Sequence, residues 1–356
     1  MRRAFNRPVR NPINPMKNGE RMENAMKKKA LFVLDEFERI YSEEIVRQIK
    51  EVVDIYAPVQ TTQDIKEHPE ILSECQLIFS GWGAPKMDEE FLAHAPKLEY
   101  VFYGAGTIRY MVSDAFWRRG IRVSSAWAVN AIPVSEYTLS QILFALKSGY
   151  QFSRAYTKAR GRSQVGQVAF SGAYESTVGL ISLGMIARLV AQRLRTFDVK
   201  ILAYDPFVTA EQAQELGVTL CSLQELFSRS DVVSLHTPWL KETENMITGE
   251  MFASMKQGAT FINSARGAVI REPEMIEVLQ RRPDLQAVLD VTYPEPPAQD
   301  SPLWTMENVL LTPHIAGSMG NECHRHAKAM LQECVRYLSG EPMQYEISEE
   351  KAKIMA

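Results

Sequence analysis

The sequence predicts an α/β chain with two parallel sheets, each covered by helices on both faces. Short apolar runs alternate with helix-period segments along nearly the whole chain, the pattern of buried parallel strands with crossover helices. The runs fall into two series, divided at about residue 128, which argues two domains. At 356 residues the chain is long enough for both.

The first series is Ala30–Asp35, Val52–Tyr56, Leu77–Ser80, Leu98–Tyr103 and Arg122–Ser124. The second is Val178–Ile181, Lys200–Tyr204, Val218–Leu220, Asp231–Leu235, Ala259–Asn263, Ala287–Val291 and Val309–Thr312. A long helical pattern joins them, with Pro133 near its first turn and Leu139, Ile142, Leu143 and Leu146 on one face. A second apolar face of this helix either dimerises or packs on the sheet. The stretch from Lys158 to Gln167 reads as an exposed loop.

Residues 1–29 differ from the rest. Arg2, Arg3, Arg7, Arg10, Lys17, Arg21, Lys27, Lys28 and Lys29 face only Glu20 and Glu23, with no apolar period. A disordered tail is expected. It lacks the apolar core of a secretory signal. It is either a targeting or anionic-partner segment, or an over-extended start with Met22 or Met26 as initiator. The onset of apolar patterning at Ala30 favours the second.

Residues Thr177 to Phe207 are the most informative. An apolar run reaches a tight turn at Ser182–Leu183–Gly184. An amphipathic helix follows, with Ile186, Leu189, Val190 and Leu194 on one face, and a second apolar run ends on Asp205. This is the order of a dinucleotide-binding βαβ unit. A helix N-terminus with unpaired N–H groups suits a pyrophosphate, and Gly184 presents no Cβ to it. Asp205, 21 residues beyond Gly184, can accept hydrogen bonds from ribose hydroxyls and repels a 2′-phosphate. No Lys or Arg follows it in Asp205–Pro206–Phe207, so NAD is favoured over NADP. The glycine fingerprint runs Ser182–Leu183–Gly184–Met185–Ile186–Ala187. Ala187 is tolerated, while Ser182 departs from the pattern.

Composition excludes other classes. Hydrophobic content of 46%, charged content of 23% and a net charge of −3 describe a globular protein with no general attraction to nucleic acid or membranes. No apolar run reaches the ~20 residues that span a bilayer. Cys75, Cys221, Cys323 and Cys334 show no paired spacing, which suggests free thiols in the cytoplasm.

Three further motifs end strands of the second series: Asn263–Ser–Ala–Arg266–Gly267, Asp290–Val–Thr–Tyr–Pro–Glu295–Pro296 and Thr312–Pro–His314–Ile–Ala–Gly317. Ligands of open α/β sheets bind outside the carboxyl ends of the strands, so all three point to the pyrophosphate edge. The planar fork of Arg266 suits a carboxylate. His314 can donate or accept a proton near neutral pH. Glu295 can orient the imidazole.

With Ser234–Leu–His236–Thr237–Pro238 through Thr243, and Asn130–Ala–Ile–Pro–Val–Ser–Glu136, the chain resembles the D-isomer-specific 2-hydroxyacid dehydrogenases over roughly residues 30 to 340. The resemblance implies Rossmann-like and flavodoxin-like domains with parallel sheets. The cofactor domain (129–324) is inserted into a discontinuous substrate domain (30–128 plus 325–350). A helix near His326 to Ser339 returns to the first domain. The resemblance implies NAD as cofactor and a 2-oxo acid as substrate: Arg266 binds its carboxylate and polarises its ketone oxygen, His314 gives a proton to the forming alkoxide or takes it back in oxidation, and Glu295 orients the imidazole. It places Gly184, Met185, Ile186, Asp205, Thr237, Thr243, Ser264, Ala265, Arg266, Asp290 and His314 around NAD, with Asp290 on the nicotinamide carboxamide. Many relatives carry Arg where Met185 stands. Gly104, Ala105 and Gly106 match the loop whose N–H groups hold the substrate carboxylate, together with Arg266. Relatives usually carry an acid at Ile108; Arg109, which follows, either reads a second substrate group or is solvated. Trp82 either walls the pocket or packs in the core.

The expected partner is a small 2-oxo or 2-hydroxy acid, and the expected assembly a homodimer. Glu322–Cys323–His324–Arg325–His326 falls in a helical pattern with no second ligand group, so no metal is expected. Two other readings remain on the same fold. Formate dehydrogenases lack the Glu–His pair kept here. A corepressor-like, NAD-sensing binding protein is compatible with retained catalytic residues.

Overall fold

The structure, a computed structural model, describes residues 27–160 and 172–354. One sheet has five strands: β1 (Lys29–Phe32), β2 (Asp54–Ile55), β3 (Leu77–Ser80), β4 (Tyr100–Tyr103) and β5 (Arg122–Ser125). Their order is β2-β1-β3-β4-β5, all parallel, the flavodoxin-like winding. The other sheet has seven: β6 (Thr177–Ile181), β7 (Lys200–Tyr204), β8 (Thr219–Leu220), β9 (Val232–Leu235), β10 (Thr260–Asn263), β11 (Gln286–Leu289) and β12 (Val309–Leu311). Their order is β12-β11-β10-β9-β6-β7-β8, again all parallel. The winding reverses between β6 and β9, and such a reversal opens a crevice at the strand ends. Every strand expected from the sequence is present, because sheets buried on both faces leave continuous apolar runs.

Four helices frame the cleft. They are α1 (Trp127–Leu146), α2 (Gly149–Ala159), α3 (Met185–Leu194) and α4 (His324–Ser339). Helix α1 begins earlier than expected, so Pro133 lies inside it and not in its first turn. Proline leaves the Val129 carbonyl without its helical donor. Packing outweighs that loss: Ala126 and Val129 are buried in the core of the first sheet. At its other end Ile142, Ala145 and Leu146 enter the core of the second sheet beside Val178, Ala187 and Val190. Helix α4 packs Ala327, Ala329, Met330 and Cys334 onto the first sheet. The second sheet thus lies in sequence between two segments that pack on the first.

Residues 1–26 of the expected tail lie outside the described residues. Its last three residues are ordered, contrary to expectation, because Lys28 pairs with Glu99 at 2.6 Å and Lys29 opens β1. Of the expected loop from Lys158 to Gln167, residues 161–167 lie outside the described residues, and Lys158 and Ala159 end α2.

Candidate active site

The glycine turn leaves β6 at its carboxyl end. Ser182 sits at φ +71°, in the left-handed region that favours glycine. Its Oγ is 2.8 Å from Thr237 Oγ1. Gly184 caps α3, and a Cβ built there meets nothing within 4 Å, so the turn faces open space. Ala187 is fully buried, in keeping with a packing role. Met185 and Ile186 open the helix, Met185 exposed and Ile186 half-buried.

Arg188 was not foreseen. Its Nε donates to Leu183 O at 2.7 Å, folding the guanidinium back over the turn. The signal was its place three residues after Met185, since long helical side chains cover the turn preceding them. Asp205 is half-buried; it accepts the N–H groups of Leu183 (2.7 Å) and Phe207 (2.8 Å), one on each carboxylate oxygen. Each oxygen keeps a lone pair for a further donor.

Strain at Ser182 orders a pair of variants. Ser182→Ala keeps the left-handed backbone and loses the Thr237 bond. Ser182→Gly loses the same bond but relieves the backbone, by roughly 1 kcal/mol. Urea unfolding is expected to rank Gly above Ala by about that amount. Equal stability, or Ala above Gly, contradicts the strain.

The other expected cofactor positions serve the protein first. Ser264 Oγ lies 3.1 Å from Thr138 Oγ1 on α1. The Thr243 hydroxyl accepts the Leu240 N–H (2.8 Å) and donates to Pro238 O (2.6 Å), closing the turn that follows β9. The Ala265 N–H donates to Asn263 Oδ1 at 2.9 Å.

Arg266 follows β10, half-buried, with Nη1 donating to its neighbour's carbonyl, Ala265 O, at 2.7 Å. Burial lowers its pKa, opposed by the Glu295 carboxylate. Gly267 then passes against the segment after β11; a Cβ there would lie 2.0 Å from the Thr292 carbonyl carbon. Glu295 projects from that segment, and its Oε1 is 2.7 Å from His314 Nδ1. His314 sits at φ +54°, and its N–H bonds both Asp290 O and Thr312 O at 3.0 Å. Its Nε2 has no partner among the described residues.

Asp290 also has a role within the fold. Its carboxylate, 2% exposed, accepts Thr312 Oγ1 (2.6 Å), Ile315 N (2.8 Å) and Ala316 N (2.8 Å). It holds the loop that carries His314, and Oδ2, with one donor, keeps a lone pair for the expected carboxamide. Three donors on one carboxylate hold that loop against the strand end.

On the opposite wall the loop after β4 departs from expectation at Gly104. The Gly104 N–H is taken by Ser80 O at 2.8 Å, and a Cβ there would crowd Ile40 and Ser80 at 3.0 and 3.1 Å. Gly104 therefore serves packing, while the N–H groups of Ala105 and Gly106 have no acceptor among the described residues. Trp82 packs against both cores of the first sheet, under the Arg39 guanidinium at 4.4 Å. Arg109 is exposed at the mouth, and its Nη1 reaches Trp239 O of the second sheet's turn at 3.3 Å. Asn130, on α1, joins the walls: its Oδ1 accepts the Ser318 N–H at 2.9 Å, and its Nδ2 lies 3.9 Å from a Cβ placed on Gly106.

Two buried histidines brace these walls. His326 lies between Ser318 Oγ (2.8 Å) and Gly104 O (3.1 Å). His236 lies 3.0 Å from Ser234 Oγ. Burial pulls both imidazoles down to about 4. The unfolded chain then binds more protons between pH 6.5 and about 4, so the stabilisation is full above that window and lost as pH falls through it. Each histidine contributes roughly 3 kcal/mol across it. The melting temperature is expected to fall over that range, and less steeply for His326→Asn; equal slopes contradict the linkage. The Cys323 thiol bonds Ser318 O at 3.3 Å, so it and His326 are both engaged by protein groups.

The sequence model of the D-isomer specific 2-hydroxyacid dehydrogenase, NAD binding domain, matches residues 139–316. The chain belongs to this family. The matching domain binds NAD in the 2-hydroxyacid dehydrogenases, which makes NAD the cofactor. D-3-phosphoglycerate dehydrogenase of Mycobacterium bovis is 35% identical over 262 residues, 73% of this chain and 48% of that protein. The enzyme of the same name from Methanocaldococcus jannaschii is 30% identical over 297 residues, 83% of this chain and 55% of that protein. The chain spans about half the length of the curated relatives it matches. Among solved structures, apo D-mandelate dehydrogenase of Rhodotorula graminis superposes with a TM-score of 0.76 at 23% identity, covering 90% of this chain and 98% of that one. The NAD-complexed D-isomer specific 2-hydroxyacid dehydrogenase of Lactobacillus delbrueckii ssp. bulgaricus gives 0.74 at 21%, covering 90% and 100%. These structures share the family fold. No described helix is long and apolar enough to cross a membrane.

Proposed function

We propose that the protein interconverts a 2-oxo acid and a D-2-hydroxy acid with NAD. The observation that carries this reading is the 2.7 Å pairing of His314 with Glu295, which stands close enough to Arg266 to act on its charge. When bound, NAD supplies the hydride for reduction or takes it in oxidation.

The open cradle at Gly184 fits a pyrophosphate, with Arg188 in the place that Met185 leaves uncharged. The free lone pairs of Asp205 fit ribose hydroxyls, and its charge disfavours a 2′-phosphate. Arg266, braced on Ala265 O, holds the substrate carboxylate and polarises the ketone with its remaining donors. The N–H groups of Ala105 and Gly106 add to the carboxylate site. His314 gives its Nε2 proton to the alkoxide oxygen and recovers it in the reverse direction. Glu295 keeps the ring oriented through Nδ1, and Asp290 keeps the loop oriented beneath it. Closure of the two walls about α1 excludes water from the reacting carbon.

In this reading residues 129–324 form the cofactor domain and residues 30–128 with 325–350 the substrate domain. The protein works as a homodimer in the cytoplasm, independent of nucleic acid. Exposed Phe144 (48%) and Tyr156 (53%), on α1 and α2, support the homodimer, and four free cysteines support a reducing compartment.

The experiment is NADH oxidation across short, branched, aromatic, sugar-derived and acidic 2-oxo acids. Turnover with at least one is expected. NADH binding without turnover of any would overturn the reading in favour of an NAD-sensing protein.

A further inference from the structure

The cleft mouth carries a cation that pairs with no acid among the described residues. Some exposed arginines elsewhere find carboxylates, Arg118 with Glu89, Arg122 with Glu346 and Arg271 with Glu274, while others away from the cleft, such as Arg195 and Arg229, do not. Arg109 pairs with none among the described residues. Its guanidinium makes one protein contact, Nη1 to Trp239 O at 3.3 Å. That contact spans the cleft, from the loop after β4 to the turn after β9. The loop is anchored by Ile108, 3% exposed in the first core, so Arg109 does not hang from a loose segment.

Arg109 stands close enough to Arg266 to act on its charge. The two charges oppose each other, since Arg109 disfavours the charged form of Arg266, while Glu295 and nearby Tyr110 favour it. Glu295 is already engaged by His314. Two like charges at one cleft without a shared counter-ion cost energy. A substrate with a single carboxylate answers Arg266 and leaves Arg109 unmatched. Past Arg109 the wall is aromatic, with Trp239 and Tyr293 edge to face at 5.3 Å and Tyr110 79% exposed. These rings carry no negative charge at neutral pH; the carboxylates beside them, Glu244 on the Trp239 indole N–H at 3.3 Å and Glu272 on the Tyr293 N–H at 3.2 Å, form no ion pair with Arg109.

We propose that Arg109 is the specificity-determining residue, binding a second anionic group at the end of the substrate remote from the carboxylate on Arg266. The substrate class is then a 2-oxo acid with a distal carboxylate or phosphate ester. This rests on the dehydrogenase reading above. A guanidinium matches either anion with two parallel donors, and Arg109 has its remaining donors free to do so. A strut that only held the walls together would need a donor for Trp239 O but no charge.

That distinction sets the test. The kcat and KM for NADH-dependent reduction are measured with 2-oxobutyrate, oxaloacetate, 2-oxoglutarate and 3-phosphohydroxypyruvate. The proteins are the natural one, Arg109→Gln and Arg109→Lys. Gln keeps a donor for Trp239 O, and Lys keeps the charge without the fork. The natural protein is expected to prefer an acid with a second anionic group. Arg109→Gln is expected to lose about 10- to 100-fold in kcat/KM on that acid, mostly through KM, and far less on 2-oxobutyrate. Arg109→Lys is expected to fall between. The larger effect, on carboxylate or on phosphate, names the distal group. Equal losses of Arg109→Gln on charged and uncharged acids would make Arg109 a strut and overturn the proposal. A natural protein that prefers 2-oxobutyrate would also overturn it, with the dehydrogenase reading intact. No NADH oxidation with any acid would remove the dehydrogenase reading itself.

Discussion

His314→Asn is expected to lower kcat for 2-oxo acid reduction by at least about 100-fold, the ordinary contribution of a positioned general acid. Affinity for NADH stays within about twofold, because the loss falls on a proton and not on the cofactor cradle. Asparagine is the informative replacement. His314 sits at φ +54°, a conformation that asparagine enters more readily than alanine. The backbone bonds to Asp290 O and Thr312 O therefore survive, and a lost rate is not a lost fold. Steady-state rates alongside NADH fluorescence titration separate the two quantities. Near-normal kcat would end the proton-donor role, whatever the family.

Gly267→Ala carries the second large effect. The added Cβ would lie 2.0 Å from the Thr292 carbonyl carbon, 2.2 Å from its oxygen and 2.5 Å from Tyr293 N. All three are backbone atoms, so no side chain can rotate away. The ends of β10 and β11 must separate, which overpacking data place at about 1–3 kcal/mol or more. The same shift moves Arg266 away from the segment that carries Glu295. Misplacement by about 1 Å costs of order 100-fold in rate. A lower melting temperature and a kcat/KM reduced by about 100-fold are expected together. Natural stability with natural kcat/KM would show that the two strand ends do not need their close approach.

The sheets were legible because parallel strands buried on both faces leave unbroken apolar runs. Leu77–Ser80 and Lys200–Tyr204 needed no adjustment at all. The start of α1 was not legible, since Pro133 signals a first turn and only the burial of Ala126 and Val129 overrides it. The candidate catalytic groups were legible as residue types at strand ends, and their resemblance to a family ordered them. Their side-chain commitments were not. Asp290 could be seen as an acid at a strand end, but its three donors come from residues 22 to 26 positions onward. Gly104 looked like a ligand-facing glycine, but its N–H completes a bond to Ser80 and its missing Cβ makes room for Ile40. The Ser182 departure was visible in sequence, while its meaning, a left-handed residue held by Thr237, needed the backbone.

The central claim is hydride delivery to one face of a 2-oxo acid held between Arg266 and His314. It is tested most directly by chiral analysis of the hydroxy acid formed as the purified protein consumes NADH. The D-2-hydroxy acid, formed in one-to-one ratio with the NADH oxidised, is the expected result. The L-isomer, a racemic product, or NADH bound but never consumed would contradict it.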